Sequence, residues 1–217
     1  MPEPALNIAD IRKDYRLAAL DETTAGHDPI SFFKKWFTEA ETAQITEVNA
    51  MTLATVDEKR MPHARIVLLK GLDEKGFVFF TNYDSAKGHE INSTPHAAIV
   101  FFWKELERQV RIEGRIEKVS AGESDTYFHS RPEGSRIGAW ASPQSKVISD
   151  RNILDLNYSR YEQEFSAIEI PRPEHWGGYR VIPYNIEFWQ GRSSRMHDRL
   201  LFSATHEGHW QRSRLAP

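Results

Sequence analysis

The sequence predicts a mainly β protein with flanking helices, built around a small antiparallel barrel. Two observations indicate this class. The middle of the chain repeats short apolar runs that are separated by polar turns, and most of these turns are too short to hold a crossover helix. Helical patterns stand before and after this β-rich part. About five such strands in a row favour a closed or nearly closed barrel over βαβ units.

The N-terminal part is predicted to be helical over about residues 5–45, attached to a single domain that spans residues 1–217. One helical pattern covers residues 6–20. A second helix is expected from Asp28, an N-cap residue that Pro29 follows in the first helical position. Ile30, Phe33 and Trp36 then recur at helical spacing, which indicates a face packed on a core.

Apolar runs predict strands over residues 51–56, 63–70, 77–81, 97–103 and 107–119. The polar turn 73–76 ends at Gly76, so the second and third runs are expected to form a hairpin with a positive φ at that glycine. Gly114 inside the last run suggests a bulge or a close backbone approach. Further helices are expected from Asp84 or Ser85 and over residues 120–131 and 150–165, followed by closing strands with a turn near Gly208.

Composition excludes several classes of function. The chain has no cysteine, and therefore no disulfide, thiolate metal site or thiol nucleophile. Its net charge of −3 indicates neither nucleic acid nor an anionic membrane as a partner. The polar N-terminus lacks the apolar core of a signal peptide, so a cytoplasmic protein is expected. No phosphate-loop, dinucleotide or zinc-protease motif occurs, and the His206/His209 pair lacks the further ligands of a metal site.

A first anion site is indicated where the short helix begins. Ser85 or Asp84 can cap this helix, and Lys87 lies in its first turn, so the helix dipole, free N–H groups and an ammonium all favour a phosphate. Arg65 and Lys70 add cations on the preceding apolar run, and strict alternation would place them on opposite faces of a strand. The alternative is a barrel strand whose cations only keep its ends soluble.

A second anion site is indicated by Tyr127, Arg131 and Ser135. Their spacing puts a phenol, a guanidinium and a hydroxyl on one side of a continuing helix, a combination that suits a phosphate. The alternative is a solvated helix face with one buried tyrosine.

The closing segment 188–199 concentrates arginine beside an aromatic ring. Trp189 and Arg195 can stack on a planar heteroaromatic ring. His197 can bond a substrate hydroxyl or exchange a proton near neutral pH. A basic loop between two strands is the alternative, while a nucleic-acid groove fits poorly with the acidic total charge.

These residues lie in motifs that resemble those of the pyridoxine (pyridoxamine) 5′-phosphate oxidase family. The motifs are RIVLLKG, FFTNYDSAKG, ERQVRIEG, YFHSRP with SRIGAWAS and QS, FWQG with RMHDR, and the terminal RLAP. They follow one another in order over nearly the whole chain. The resemblance implies an FMN-binding split β-barrel with an antiparallel, Greek-key-like path, active as a homodimer with its sites at the interface.

The resemblance also implies the roles of individual residues. Expected FMN contacts are Arg65, Ile66, Val67, Leu68, Leu69, Lys70, Phe80, Thr81, Lys87, Gln109, Gln144, Ser145, Trp189 and Arg199, with Gln144 and Ser145 coming from the partner chain. Expected substrate contacts are Arg12, Tyr15, Lys70, Tyr127, Arg131, Ser135, Arg195 and His197, of which Arg195 and His197 are also the expected catalytic residues. No metal is expected.

The implied reaction is the oxidation of pyridoxine or pyridoxamine 5′-phosphate to pyridoxal 5′-phosphate with dioxygen as acceptor. Two alternatives keep the same fold: a non-catalytic carrier of flavin or pyridoxal phosphate, and a nicotinamide-dependent flavin reductase. One departure from the family pattern stands at Ala86, where the family usually has arginine, and it predicts weaker retention of FMN.

Overall fold

The computed structural model describes residues 13–217. In chain order its elements are α1 (Glu22–Ala25), α2 (Pro29–Thr42), β1 (Ala50–Val56), β2 (Pro62–Leu68), β3 (Gly71–Asp73), β4 (Gly76–Asn82), α3 (Ala86–Ser93), β5 (His96–Trp103), β6 (Arg108–Lys118), α4 (Ala121–Ser130), α5 (Glu133–Ala141), α6 (Asn152–Glu164), β7 (Trp176–Gln190), β8 (Asp198–Ala204) and β9 (Trp210–Leu215). Short 3-10 turns cover Lys104–Leu106 and Ser193–Arg195. Within the described residues, no helix combines the length and apolar character needed to cross a membrane.

The strands form one nine-stranded sheet in the order β2-β1-β5-β6-β7-β4-β3, with β8 pairing with β7 and β9. The β1–β2, β1–β5, β3–β4, β4–β7 and β8–β9 pairs are antiparallel, as predicted. The expected hairpin between residues 63–70 and 77–81 is wrong, because β2 ends at Leu68 and pairs with β1. The turn before Gly76 instead joins the short strand β3 to β4.

Two glycines agree with the sequence predictions, which were a positive φ at Gly76 and a close backbone approach at Gly114. Gly76 has a φ of 144°, and a Cβ there would lie 2.0 Å from the carbonyl oxygen of Val181. At Gly114 a Cβ would lie 2.4 Å from the carbonyl oxygen of Ile182, so β6 and β7 approach closely at this point. Both positions therefore lack room for a side chain, and Gly76 also has a backbone conformation that side chains disfavour.

Contacts divide the described chain into two compact units. The first unit comprises residues 13–48, 102–110 and 186–217. Helix α2 begins where predicted: the side chain of Asp28 accepts the N–H groups of Ile30 and Ser31. Its apolar face contributes Phe32 and Trp36, which pack on Phe188 with ring centroids 4.6 and 5.3 Å away.

The second unit comprises residues 49–101 and 111–185 and contains most of the sheet. Alternate residues of its strands, such as Leu53, Ile99 and Ile112, are fully buried. Beside them lies a second apolar cluster, formed by Phe128 of α4, Ile137 of α5, Phe165 and Ile170 after α6, and Trp176 at the start of β7. These two cores fix the strand ends and helix ends on which the candidate site is built.

Of the predicted helices, one is not found in the described residues, and another is found but does not continue to Ser135. Residues 13–20 have no helix, and the rest of the predicted 6–20 helix lies outside the described residues. The helix predicted over residues 120–131 is confirmed as α4: it begins after Ser120, whose hydroxyl accepts the N–H of Glu123, and it ends at Ser130. Arg131 is extended, with φ −78° and ψ 149°, because Pro132 disfavours a helical conformation in the residue before it. Tyr127, Arg131 and Ser135 therefore do not share one continuous helix.

Candidate active site

The largest collection of predicted site residues lines one cavity of about 670 Å³ in the second unit, which we call the cationic pocket. This volume falls within the range of small-molecule and cofactor sites. The predicted site residues that line it are Arg65, Ile66, Val67, Leu68, Lys70, Phe80, Thr81, Lys87, Tyr127, Arg131, Ser135 and Gln144. Asn82, Gly138, Ala139, Ser142 and Trp176 complete the wall.

Lys87 lies in the first turn of α3, at the start of the helix as predicted. Ser85 caps this helix, its hydroxyl accepting the N–H of Gly88. The Lys87 ammonium donates to neutral oxygens, namely the hydroxyls of Thr81 (3.2 Å) and Ser85 (3.4 Å) and the amide oxygen of Gln144 (3.3 Å). Burial, and next the charge of Arg65, lower the pKa of Lys87. An anion at this helix start would relieve both effects.

Arg65 is held by a buried network on the strand side of the pocket. Its guanidinium donates to the Thr55 hydroxyl and, at 3.0 Å, to the carboxylate of Glu90, which is 7% exposed. The other Glu90 oxygen lies 2.7 Å from Nδ1 of His63. Burial raises the pKa of Glu90, but the hydrogen bonds from Thr55, His63 and Arg65 outweigh it and lower that pKa overall. Glu90 therefore stays ionised and fixes Arg65 in place.

Arg131 is a cation of the pocket with an unsatisfied buried donor. Its Nη1 atom is buried and has no hydrogen-bond partner. The guanidinium lies 4.6 Å from the ring centroid of Trp176, and burial lowers the pKa of Arg131. Tyr127 stacks on Phe80 at 3.9 Å, and Phe80 lies in turn 5.6 Å from Trp176. A desolvated guanidinium beside a wall of stacked rings suits a ligand with an anionic end and a flat apolar body.

The structure places several of the predicted residues of this region differently from the expectation. Arg65 and Lys70 line the same pocket instead of opposite faces, because Lys70 lies beyond the end of β2 and strand alternation does not reach it. Gln144 contacts Thr81 and Lys87 of its own chain, and its expected contribution to the site of a partner chain stays a prediction. Leu69 and Ser145 do not line the pocket: Leu69 is buried at 8% exposure, and Ser145 is exposed with a φ of 69°.

The remaining predicted residues lie in the first unit, apart from Arg12, which is outside the described residues. Tyr15, Trp189 and His197 form an aromatic group that we call the Trp189 cluster. The Tyr15 ring meets Trp189 edge-on at 5.8 Å, and His197 lies 4.7 Å from Trp189. The backbone N–H of Arg192 donates to Nδ1 of His197 at 3.1 Å. The neutral imidazole consequently carries its proton on Nε2, as a donor for a ligand.

The other predicted residues of this unit differ in their surroundings. Arg199 forms a bidentate ion pair with the buried Glu187, with Nε 2.8 Å from one carboxylate oxygen and Nη2 3.2 Å from the other. The hydrogen bond to Glu187 raises the pKa of Arg199. Arg195 is exposed in the turn after β7 with a φ of 61°. Gln109 is half-buried in β6. Arg199 is thus fixed by its carboxylate, whereas Arg195 is presented to solvent.

Comparison with known proteins assigns the family. Residues 37–165 match the model of the family described as pyridoxamine 5′-phosphate oxidase. The chain belongs to the pyridoxamine 5′-phosphate oxidase family. Residues 176–217 further match the pyridoxine 5′-phosphate oxidase C-terminal dimerisation region. Within this family the chain is 56% identical to the pyridoxine/pyridoxamine 5′-phosphate oxidase of Trichormus variabilis, over 97% of this chain and 98% of that one.

Other family members extend the likeness. The enzyme of the same name from Pseudomonas savastanoi pv. phaseolicola is 57% identical over 97% of this chain and 98% of its own. The crystal structure of PhzG from Burkholderia lata, in complex with tetrahydrophenazine-1-carboxylic acid, superposes with a TM-score of 0.86 at 28% identity, covering 93% of this chain and 99% of PhzG. These matches confirm the predicted family and, together with the antiparallel sheet and its flanking helices, the predicted fold class.

Sequence reasoning missed two residues that shape the cationic pocket. Glu90 looked like an ordinary helix residue, although it stands three positions after Lys87 and thus on the same side of α3. Trp176 follows a proline-broken linker and gave no local sign that it would stack against Arg131. For Glu90 the available signal was its position one helical turn from a predicted phosphate-binding lysine. For Trp176 there was no signal.

Proposed function

We propose that this protein is an FMN-dependent oxidase that converts pyridoxine 5′-phosphate and pyridoxamine 5′-phosphate to pyridoxal 5′-phosphate. The alcohol reaction consumes one dioxygen and gives the aldehyde and hydrogen peroxide. The amine reaction also consumes one water and releases ammonia. The observation that carries the proposal is the cationic pocket, whose half-buried Lys87 and Arg131 form no ion pair within the described residues, in a chain with oxidase relatives at 56% identity.

The pocket residues fit a phosphorylated cofactor. The capped start of α3, with Lys87, Thr81 and the fixed guanidinium of Arg65, offers donors for a phosphate. In the proposal the backbone of residues 66–69, with Phe80 and Gln144, lies along the flavin. Gln109, Ser145, Trp189 and Arg199 are its remaining proposed contacts. The chemistry that FMN supplies when bound is two-electron oxidation, with dioxygen as the final acceptor.

Tyr127, Arg131, Ser135 and Lys70 are the proposed donors for the substrate phosphate. Arg131 can form charge-assisted bonds to it from a guanidinium whose Nη1 atom is already desolvated, so binding costs this atom no further loss of hydration. Anchoring this distant phosphate restricts the substrate ring to one orientation, and orientation is the main contribution a protein makes when a cofactor carries the redox step.

The Trp189 cluster and Arg195 are proposed to act on the substrate ring. The tautomer that Arg192 imposes leaves His197 with an N–H at Nε2, which can donate to the ring hydroxyl oxygen. Arg195 is proposed to lie over the ring and align its 4′ carbon. Tyr15, already packed on Trp189, and Arg12 are the further proposed substrate contacts. The active form is proposed to be a homodimer with its sites at the interface, which the match of residues 176–217 to a dimerisation region supports.

One anaerobic experiment tests the proposal. Protein loaded with FMN is mixed with pyridoxine 5′-phosphate without oxygen while the oxidised-flavin absorption is recorded, and air is then admitted. The expected result is bleaching, followed by recovery with formation of hydrogen peroxide. Absence of bleaching with flavin bound would refute the oxidase proposal. Subsequent addition of NADH or NADPH would then separate a nicotinamide-dependent reductase, which bleaches, from a carrier, which does not.

A further inference from the structure

Glu107 is a buried carboxylate in the first unit that none of the roles above uses. It is 3% exposed and occupies a left-handed backbone conformation, with φ 55° and ψ 39°, at the end of the 3-10 turn Lys104–Leu106. A charged group in such a position is costly unless several donors surround it. Its donors therefore indicate what the carboxylate is for.

Most of these donors come from the segment 13–20, which we call the strap. One carboxylate oxygen of Glu107 accepts the backbone N–H groups of Arg16 at 2.9 Å and Leu17 at 3.1 Å. The other oxygen lies 3.7 Å from the ammonium of Lys13, whose side chain is 64% exposed. Because that ammonium is largely in water, the two partly buried backbone bonds supply most of the attraction.

The main chain of Glu107 is hydrogen-bonded to the last residue of β7 and to the residue that follows it. Its carbonyl oxygen accepts the N–H of Gly191 at 2.8 Å and the side-chain amide of Gln190 at 3.2 Å. Glu107 therefore links the strap directly to the residues that follow Trp189. The docked strap supplies the N–H groups of Arg16 and Leu17 to the Glu107 carboxylate, and these charge-assisted bonds favour the docked position.

This linkage fixes the position of the Tyr15 ring. A Cβ added at Gly191 would lie 2.8 Å from Cγ of Tyr15, so the ring packs directly against the backbone of Gly191. From there it meets Trp189 at 5.8 Å and His197 at 6.0 Å. The strap has no helix to hold its shape, and so the seat of Tyr15 depends on these anchor points.

We infer that Glu107 is a positioning residue, a latch whose carboxylate holds the strap down so that Tyr15 stays packed on Trp189 and His197. The inference deepens the proposed function and rests on it where substrate binding is concerned. Loss of the latch is expected to weaken the substrate complex, since Tyr15 is a proposed substrate contact, while the redox step itself keeps all of its groups.

Hydrogen exchange of the FMN-loaded protein measures the latch directly. In Glu107→Gln the charge-assisted bonds become ordinary ones, and the amides of Arg16 and Leu17 are expected to exchange about tenfold faster or more. The amide of Thr24, which bonds Asp21, serves as an internal reference and should not change. Glu105→Gln, an exposed carboxylate in the same turn, is the matched control and should leave all three amides unchanged. Unaltered exchange at Arg16 and Leu17 in Glu107→Gln would overturn the latch.

Steady-state kinetics measure its consequence. Glu107→Gln is expected to raise the KM for pyridoxine 5′-phosphate by about tenfold while turnover at saturation stays within about twofold, the pattern of lost binding without lost chemistry. Faster exchange with an unchanged KM would show a latch that does not serve the substrate and would overturn the positioning role. Failure of the wild-type protein to oxidise the substrate would refute the proposed function, yet the exchange result would still decide the latch.

A second variant disturbs Tyr15 without touching the carboxylate. Gly191→Ala places a methyl group against the Tyr15 ring, and it is expected to raise the KM as Glu107→Gln does. Because both changes act through one strap, the double variant should lose much less than the product of the two single effects. Fully multiplicative effects would overturn the inference.

Discussion

Replacement of Arg131 by methionine separates the cost of this arginine to the fold from its value to a ligand. Its buried, unpartnered Nη1 costs about 1–3 kcal/mol of stability, because a desolvated donor has lost water and gained nothing. Its cation–π contact with Trp176, at 4.6 Å, contributes about 0.5–2 kcal/mol to the stability of the fold. The difference predicts that Arg131→Met, a side chain of similar length, raises the free energy of unfolding of the ligand-free protein by about 1 kcal/mol.

Substrate binding should respond in the opposite direction. A charge-assisted hydrogen bond to a phosphate contributes about 1.5–3 kcal/mol, and each 1.4 kcal/mol is about a tenfold change in affinity. We therefore expect Arg131→Met to weaken binding of pyridoxine 5′-phosphate by about 10- to 100-fold.

Urea denaturation without ligand and a substrate titration of the FMN-loaded protein supply the two measurements. Arg136 offers a matched control, since its Nε is also buried without a partner but it does not line the cationic pocket. Arg136→Met should share the gain in stability and leave substrate affinity unchanged. If Arg131→Met proves clearly less stable than wild type and binds substrate equally well, the arginine is structural and the reasoning fails.

Three further predictions concern other parts of the chain. Ala86→Arg, at the exposed start of α3, should tighten FMN about tenfold by restoring a charge-assisted contact, as measured by fluorescence titration of the apoprotein; equal affinities would contradict the predicted weak retention. Arg195→Leu should lower turnover per bound flavin at least about tenfold, and unchanged turnover with an unchanged melting temperature would refute its aligning role. The hydrogen bond from Arg214 lowers the pKa of Glu22 from 4.5 to about 2, so the pair stabilises the fold above pH 4.5 and loses this effect as the pH falls toward 2. Glu22→Gln should therefore flatten the stability profile between those values, and an identical acid transition would contradict the assignment.

The pattern of apolar residues predicted most strands and helices of this fold because each depends on neighbours in sequence. Asp28 and Pro29 placed the start of α2 correctly, since a cap acts within one turn. Pairing was harder to predict: residues 63–70 looked like one strand facing residues 77–81, yet β2 pairs with β1 across a different turn. A short polar turn does not reveal which of two nearby runs its strand will join.

The candidate site shows the same limit at the level of side chains. Helical spacing predicts that Tyr127, Arg131 and Ser135 share one helix face, but the helix ends before Pro132 and they meet in another way. They nevertheless line one pocket, since the extended residue and the new helix bring the chain back to the same wall. The pairing of Arg65 with Glu90 depends on tertiary packing between a strand and a helix, and no local pattern encodes it.

The cationic pocket also has a consequence for the lifetime of the protein in a cell. Its ammonium and guanidinium groups repel one another, and an added anion offsets this repulsion. The ligand-free protein therefore unfolds more readily than the ligand-bound protein. A ligand present at a hundred times its dissociation constant adds about 2.7 kcal/mol to the stability of whatever binds it. A shift of that size changes the unfolded fraction that proteases encounter by about a hundredfold. The supply of a phosphorylated ligand would thereby set how long each copy of this chain survives.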